Sequence, residues 1–270
     1  MAIIAMSREL GSLGTVIGTA VAKRLGYEYI YQEITSTAAR DYEVMEEKLV
    51  RVVEKAPRFL ERLRGDSRRY QAFVQAQVFK AAEKDNVVII GRWSTLLLRE
   101  IDHALRIRVT APSEVRARRV MEMMQVGMEK ALELVRENDL ERGERMRQLH
   151  DVDWTAPHLY DLVLNTEKVS VEAGAALIVQ LVGRKEFRAT EVSKRKLHNL
   201  AVAAGIRAEL KAHRSTREVD VDVQVTDGQV ALMGVVASEA EKRAVEGVVR
   251  GMKCPEKIES HLQVMTQRIV

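Results

Sequence analysis

The chain contains few cysteine, proline and aromatic residues. Its 270 residues include one cysteine, Cys254, and four prolines, and only 4% of them are aromatic. A single cysteine excludes an intrachain disulfide and favours a cytoplasmic protein. No apolar run approaches the roughly 20 residues that a membrane-spanning helix needs. Residues 1–4 lack the basic side chains that open a signal peptide, so we expect them to belong to a core strand.

Patterns typical of metal and nucleic-acid binding are also sparse. The six histidines show no metal-ligand spacing with one another or with the cysteine, so we predict no structural metal site. The net charge of +4 suits anionic ligands without selecting among them. Basic residues concentrate in 116–147 and 183–217, yet the second stretch contains only one aromatic residue, Phe187. Because nucleic-acid binding uses interleaved aromatics for stacking, we favour a solvated linker and helix face there over nucleic acid or anionic lipid.

The pattern of the N-terminal residues predicts a strand, a loop and a helix in that order. An apolar run at 3–6 leads into a turn containing Gly11 and Gly14, and an apolar-periodic helix closes at Gly26. This order aims the free N–H groups of the helix at the loop, which favours a bound phosphate. A Walker A loop would carry its lysine at position 14, where this chain has Gly14. The pattern predicts a phosphate-binding loop without the lysine, although an ordinary strand-to-helix turn uses glycines in the same way.

The alternation of strands and helices continues beyond the loop. Short β-branched or aromatic runs at residues 27–31, 87–90, 105–109 and 160–166 are separated by segments with helical periodicity. Such alternation is typical of a parallel sheet covered by helices on both faces.

Four groups of residues follow one another in a fixed order along residues 1–182. They are Ser7-Arg8-Glu9 with Gly11-Ser12 and Gly14, then Gly91-Arg92, then the arginine-rich stretch 139–147, and last Trp154 followed by Tyr160-Asp161-Leu162 and Asn165-Thr166. Together they resemble the cytidylate kinase-like family of P-loop nucleoside monophosphate kinases, in a branch that lacks the Walker lysine. The resemblance implies an α/β fold, a P-loop kinase-like parallel sheet flanked by helices.

The resemblance also implies ATP and Mg²⁺ as cofactors and a nucleoside monophosphate, CMP or dCMP, as acceptor. Arg92 would grip the acceptor phosphate, and Arg142 and Arg145 would be the catalytic arginines that close over the transferred group. The hydroxyls of Ser12 and Thr15 would reach the metal. The residues implied to bind the cofactor are Arg8, Gly11, Ser12, Leu13, Gly14 and Thr15. Arg8 is the nearest substitute for the missing lysine, unless it pairs with Glu9.

The chain departs from the family pattern at three positions. Leu13 stands where the family usually has glycine, Thr15 where it has arginine, and Tyr31 where it has aspartate. A residue with a Cβ resists the positive φ that a tight phosphate loop often demands, so Leu13 is the most consequential change. The missing lysine, Leu13 and Tyr31 favour a catalytically weak, nucleotide-binding regulatory protein. Arg92, the two arginines of the predicted lid and Asp161 favour a working kinase, and we favour the phosphotransferase narrowly.

Two helical segments have counterparts in monophosphate kinases. Residues 42–84 correspond to the cap over the acceptor nucleotide, although a core helical hairpin or a homodimer surface would leave the same signal. Their apolar stripe consists of Val50, Val53, Phe59, Leu60, Leu63, Phe73, Val74 and Val78. Residues 128–150 form an amphipathic helix that we expect to break at 142–147, with Gly143 as the hinge of a mobile lid. A solvated helix end with pairs such as Glu141 and Arg145 is the alternative.

The composition changes near Gly183, where a charged linker at 183–196 precedes a second pattern at 197–270. That pattern comprises a helix, a valine-rich strand at 219–225, a hairpin turn at Asp227-Gly228, a return strand, a helix capped by Ser238 and a strand at 257–264. It resembles a BON domain, whose Asp-Gly-x-Val-x-Leu-x-Gly-x-Val run is matched by Asp227, Gly228, Val230, Leu232, Gly234 and Val236 or its neighbour Val235.

The BON resemblance implies a small α+β domain that attaches to a protein partner or a phospholipid surface and carries no catalytic residues. The organisation predicted from the sequence is therefore a P-loop kinase-like domain at 1–182, a linker at 183–196 and a BON domain at 197–270. If the two parts are independent, a chain ending near Val182 folds and keeps the nucleotide binding.

Overall fold

The computed structural model of the protein describes residues 2–54, 66–91, 93–252 and 257–265. Some expectations fall on residues outside these ranges. They concern the acceptor-binding role of Arg92, the single cysteine Cys254, and the cap residues Phe59, Leu60 and Leu63.

The N-terminal part is built on a five-stranded parallel sheet. Its strands are β1 (Ile3–Arg8), β2 (Glu28–Ile30), β3 (Val87–Ile90), β4 (Ala104–Thr110) and β5 (Leu162–Asn165), in the order β2-β3-β1-β4-β5. Every neighbouring pair is parallel. All four residues of β3 are buried, because helices cover both faces of the sheet and each face needs apolar side chains. The predicted α/β architecture is confirmed.

Helices cover the two faces in separate layers. One face carries α1 (Gly14–Leu25) and α8 (Val171–Val182), which share a core with β1 and β4. The other face carries the predicted cap, α2 (Glu33–Asp41), α3 (Glu46–Glu54) and α4 (Asp66–Ala82), together with the one-turn helix α5 (Ser94–Leu97). Two further helices, α6 (Ser113–Met124) and α7 (Met128–His150), pack on each other beside the sheet. Short 3-10 turns occur at Pro157–Leu159 and Lys185–Phe187.

The helix α7 is continuous, contrary to the predicted break at 142–147. Its 23 residues run without interruption through Gly143. A glycine inside a helix costs about 1 kcal/mol relative to alanine. Trp154 packs against this point, since its Nε1 lies 3.5 Å from the position that a Cβ on Gly143 would occupy. We attribute the continuity to this packing, which offsets the glycine.

The C-terminal part contains α9 (Glu191–Ala212), β6 (Asp222–Thr226), β7 (Gln229–Val236), α10 (Glu239–Gly251) and β8 (Lys257–Val264). The strand β7 is central, antiparallel to β6 and parallel to β8. Asp227 and Gly228 form the hairpin turn with φ values of 48° and 77°, as an Asp-Gly turn requires. The side chain of Ser238 accepts a hydrogen bond from the N–H of Glu241, which confirms the predicted cap. Within the described residues, no helix is both long and apolar enough to cross a membrane.

The helix α9 belongs to two hydrophobic cores. Leu197, Ala204 and Ala208 are buried in the cap-side core with Phe73 of α4. Three other residues of the same helix, Ala203, Ile206 and Leu210, are buried in the core of the C-terminal sheet. The helix begins at Glu191 with a capping box between Thr190 and Ser193, so part of the segment assigned as a linker is helical. The division of the chain into three segments stays a prediction.

Candidate functional site

The loop between β1 and α1 adopts the left-handed backbone that phosphate loops use. Gly11 has a φ of 76° and Leu13, the residue before α1, has a φ of 62°. A left-handed conformation costs a residue with a Cβ about 1 to 2 kcal/mol. The leucine at position 13 therefore adds strain but does not prevent the loop geometry.

Groups behind the loop hold its carbonyl oxygens. Arg119 donates from Nη1 to the carbonyl of Gly11 over 3.2 Å, and the hydroxyl of Thr166 donates to the carbonyl of Ser12 over 3.0 Å. Arg119 also donates to the carbonyl of Thr166 over 2.7 Å. Across the described residues, no protein acceptor is found for the N–H groups of residues 13–16. The N-terminus of α1 therefore offers free N–H groups and the positive end of a helix dipole to an anion.

The glycine at the Walker lysine position is required by packing. A Cβ on Gly14 would lie 2.6 Å from Cβ of Arg8 and 3.2 Å from Cβ of Val109. Real Cβ atoms do not approach a neighbour that closely. A lysine at this position would therefore displace the stem of Arg8. The side chains of Arg8 and Val109 occupy the space that the Cβ of a lysine would need.

The carboxylate of Glu9 anchors the base of the loop. It is buried and accepts hydrogen bonds from Arg108 Nη2 over 2.5 Å and from Thr110 Oγ1 over 2.6 Å, with Arg116 Nε 3.2 Å away. Arg116 also forms a bidentate pair with Asp139 of α7 over 3.1 and 2.6 Å. Glu9 is thus joined to β4, α6 and, through Arg116, α7. The alternative in which Glu9 pairs with Arg8 is wrong.

Arg8 turns instead toward the end of β2. Its Nη2 donates a hydrogen bond to the hydroxyl of Tyr31 over 2.6 Å, and its guanidinium carbon lies 4.8 Å from the centroid of the Tyr31 ring. Among the described residues, no carboxylate lies within 4.0 Å of the guanidinium of Arg8. The guanidinium of Arg8 is therefore oriented by a hydroxyl, and no carboxylate of the described residues neutralises its charge.

A cavity of about 240 Å³ lies beside the loop, where the carboxyl ends of β1, β2 and β3 meet α7. Ligands of open parallel sheets bind at this edge. Its lining includes Ser7, Arg8, Tyr31, Trp93, Arg142, Arg145 and Trp154. The structure therefore brings Arg8, Arg142 and Arg145 together in one cavity. The five loop residues Gly11, Ser12, Leu13, Gly14 and Thr15 lie next to it without lining it.

Arg142 places a second cation in this cavity. It donates a hydrogen bond to the backbone carbonyl of Arg8, and its guanidinium carbon lies 5.0 Å from the ring centroid of Trp154. Burial, together with the neighbouring charge of Arg8, lowers the pKa of Arg142 to about 10. In the described part of the chain, no carboxylate forms an ion pair with Arg142. Two guanidinium groups for which the described residues supply no carboxylate partner favour the binding of an anion in this cavity.

Arg145 is more deeply placed than the lid prediction implies. Its residue is only 2% exposed, and its guanidinium donates to the backbone carbonyls of Arg51 and Val52 in α3. Arg145 therefore joins the predicted lid helix α7 to the predicted cap. Asp161, for its part, pairs with Arg106 over 2.7 Å at the start of β5. A carboxylate held in this way supports the sheet.

The two hydroxyls assigned to Mg²⁺ have different surroundings. Ser12 is fully buried, and within the described ranges its Oγ has no hydrogen-bond partner. Thr15 is partly exposed in the first turn of α1. No cluster of three or more His, Cys, Asp or Glu side chains that could hold a metal is found among the described residues. A magnesium ion at this site would take most of its ligands from phosphate and water.

Several residues that build the site are not apparent from sequence patterns. Arg108 lies inside an apolar strand, and Arg116 and Arg119 look like the polar face of a helix. Their shared role is to hold Glu9 and the loop carbonyls from behind. The one available signal was a charged residue within a strand that is otherwise buried, since such a residue requires a partner.

The fold and the site together define a P-loop kinase-like α/β protein with an appended small α+β domain. The model of the cytidylate kinase-like family matches residues 3–168, and the model of the BON domain matches residues 199–266. The chain belongs to the cytidylate kinase-like family and carries a C-terminal BON domain.

Similar proteins agree with this placement. The chain is 27% identical over 177 residues to the cytidylate kinase of Pyrococcus horikoshii, covering 65% of this chain and 85% of the relative. It is 34% identical over 99 residues to the cytidylate kinase of Methanopyrus kandleri, covering 34% and 51%. The crystal structure of an uncharacterized protein from Eubacterium ventriosum superposes with a TM-score of 0.54 at 20% identity, over 68% of this chain and 100% of that one, which shows the shared fold. These relationships support a nucleotide kinase-like function.

Proposed function

We propose that the protein transfers a phosphoryl group from ATP to a nucleoside monophosphate of the CMP or dCMP type. The observation that carries the proposal is the pairing of two anion sites. Free N–H groups at the N-terminus of α1 form one, and the cavity holding Arg8 and Arg142 forms the other. A phosphotransferase needs two such neighbouring sites, one for each substrate. The substrate class comes from the relatives named cytidylate kinase.

The donor phosphates are assigned to the loop at Gly11 to Thr15, whose carbonyls are held from behind. Mg²⁺, when bound, neutralises charge on the phosphates. Of the two candidate hydroxyls, Thr15 is the better ligand, because it is accessible from the first turn of α1. A hydrated cation does not reach the fully buried Ser12 without movement of the loop.

Arg142 is assigned to the transferred phosphoryl group. Phosphoryl transfer depends on positioning and on positive charge, with little covalent work for the protein. A half-buried guanidinium acts on an anion more strongly than an exposed one, and among the described residues no carboxylate pairs with Arg142. Arg145 keeps α7 against the cap, and Arg92 stays the proposed ligand of the acceptor phosphate.

The test is a coupled assay of ATP-dependent phosphorylation over CMP, dCMP, UMP and AMP. Arg142→Ala should lower kcat by about 100-fold or more, as expected when a group that stabilises transition-state charge is removed. Arg136→Ala is the matched control, because Arg136 is exposed on the same helix. Equal activity of the parent and Arg142→Ala would reject the assignment of Arg142. No turnover of any monophosphate by the parent would reject the kinase function.

A regulatory nucleotide-binding protein is the second candidate. Two observations favour it: packing leaves no room for a lysine at Gly14, and α9 is shared between the nucleotide-binding unit and the BON unit. In that case nucleotide binding would alter how the BON domain attaches to a protein partner or a phospholipid surface. Binding of ATP and CMP without turnover, together with nucleotide-dependent attachment, distinguishes this function from catalysis.

A further inference from the structure

The Tyr31 side chain holds Arg8 by two contacts at once. The hydroxyl accepts a 2.6 Å hydrogen bond from Nη2, and the ring lies 4.8 Å below the guanidinium carbon. Tyr31 is itself fixed, because its backbone N–H donates to the carboxylate of Glu33 over 2.7 Å at the start of α2. The guanidinium of Arg8 is therefore restrained in direction as well as in position.

The sheet order determines which substrate Arg8 faces. Arg8 ends β1 and Tyr31 follows β2, and β3 lies between these two strands. The contact therefore spans the carboxyl end of β3. The Tyr31 ring packs against the core on the α1 face, and it lines the same cavity as Val53 of the cap helix α3. The stem of Arg8 passes Gly14, where a Cβ would be 3.4 Å from its Cδ, and the guanidinium lies beyond it at Tyr31. Arg8 is thus turned away from the free N–H groups that would hold the donor phosphates.

Arg8 also brings the second cation to the same place. Its backbone carbonyl accepts the hydrogen bond from Arg142, so one residue supplies a cation and holds another beside the same cavity. Their mutual repulsion contributes to the lowered pKa of Arg142. A phosphate dianion between them would relieve that repulsion, and bidentate guanidinium groups suit phosphate oxygens.

We propose that Tyr31 is a positioning residue that orients the guanidinium of Arg8 to bind the phosphate of the nucleoside monophosphate. The inference rests on the proposed function and deepens it, since it gives Arg8, which the family resemblance places with the donor phosphates, a specific role in binding the acceptor phosphate. The chemistry of residue 31 is what matters. A tyrosine hydroxyl orients the guanidinium while leaving its full charge available, whereas a carboxylate at this position would neutralise it and repel the incoming phosphate.

The experiment is calorimetric titration of the full chain with CMP and with ATP. Tyr31→Phe should weaken CMP binding by about five- to tenfold, the loss expected for one hydrogen bond, and should leave ATP binding within about twofold. Tyr31→Asp should weaken CMP binding further. The matched control is Tyr29→Phe, because Tyr29 lies on β2 two residues before Tyr31 and does not line the cavity.

A double-variant cycle separates positioning from direct contact. If Tyr31 acts only through Arg8, adding Tyr31→Phe to Arg8→Gln should cause no further loss of CMP affinity. Arg8→Lys gives a second route to the same test, since it keeps the charge but not the planar guanidinium that pairs with Tyr31. It too should weaken the binding of CMP and not that of ATP.

The outcomes are distinct. Unchanged CMP affinity in Tyr31→Phe, or equal losses of CMP and ATP affinity, would overturn the inference while leaving the proposed function standing. A parent protein that binds neither nucleotide would overturn the proposed function and the inference with it. Melting curves of each variant show whether a loss of binding comes from unfolding, and in that case Arg8→Lys decides the question.

Discussion

The guanidinium carbon of Arg142 lies 5.0 Å from the ring centroid of Trp154. The same ring has the guanidinium carbon of Arg108 at 4.8 Å. Arg108 also binds Glu9 at the base of the phosphate loop, and Arg142 belongs to the predicted lid helix α7. Trp154 therefore connects the loop to the lid through cation–π contacts, which hold the arginines without neutralising them.

Intrinsic fluorescence should report nucleotide binding directly. Trp93 and Trp154 both line the cavity, and the chain has two tryptophans. We expect CMP to change the emission of the parent and of Trp93→Phe, where Trp154 is the only reporter. Trp154→Phe should also weaken CMP binding by about 0.5 to 2 kcal/mol, because the ring that supports Arg142 is smaller. Calorimetric binding of CMP without any change in emission would place the nucleotide elsewhere.

Restoring a Walker lysine should not activate the protein. Gly14→Lys forces a Cβ to within 2.6 Å of Cβ of Arg8, and such overpacking costs about 1 to 3 kcal/mol of folding free energy. We expect a lower melting temperature and weaker ATP binding. Gly205→Ala is the control, because a Cβ there meets no atom within 4 Å and improves helix propensity. Tighter ATP binding and faster turnover in Gly14→Lys would show that the loop has simply lost its lysine.

The free energy of unfolding, and with it the stability, should decrease as the pH drops below about 6.5, the ordinary pKa of histidine. His103 is fully buried, with Nε2 3.6 Å from a carboxylate oxygen of Asp85. Burial lowers its pKa and outweighs Asp85 and Asp102, which act to raise it; the charge of Lys194 also acts to lower it. The unfolded chain therefore binds the proton more tightly, so the stability is complete above the ordinary pKa and decreases below it.

Urea unfolding at pH 7.5 and 5.5 measures this dependence. His103→Gln should make the difference between the two pH values smaller, whereas substitution of His261, which is exposed, should not. Part of the dependence should persist, because burial and the charge of Arg99 also lower the pKa of His150. An unchanged difference in His103→Gln would exclude His103 as a source.

The parts of the fold that depend on local pattern could be predicted from the sequence. The sequence predicts the strands Val87–Ile90 and Lys257–Val264 at their observed bounds, because the first is an unbroken β-branched run that ends at a glycine and the second alternates polar and less polar residues. The double role of α9 was not predicted, since its buried residues are spread around the helix and the sequence does not say which core each one enters. The helix α7 continues through Gly143, which packs against Trp154 in a tertiary contact that the local pattern does not specify.

The candidate site divides in the same way. The loop and the arginines of α7 follow from the order of strand, glycines and helix, and their assigned roles stay predictions. What holds them could not be read from the sequence. Glu9 is paired with Arg108 and Thr110, which lie 99 and 101 positions further along the chain. Such contacts depend on the order of the strands in the sheet, which local patterns do not specify.

A chain ending at Val182 tests where the nucleotide-binding unit ends. The BON resemblance predicts that such a chain folds and keeps nucleotide binding. The structure predicts the opposite, because the truncation removes Leu197, Ala204 and Ala208 from the core around Phe73. Losing this apolar contact should cost about 3 to 5 kcal/mol of folding free energy. We expect a lower melting temperature and binding of a hydrophobic dye. A truncated chain that melts like the full chain and binds ATP equally well would show that α9 belongs to the BON unit alone.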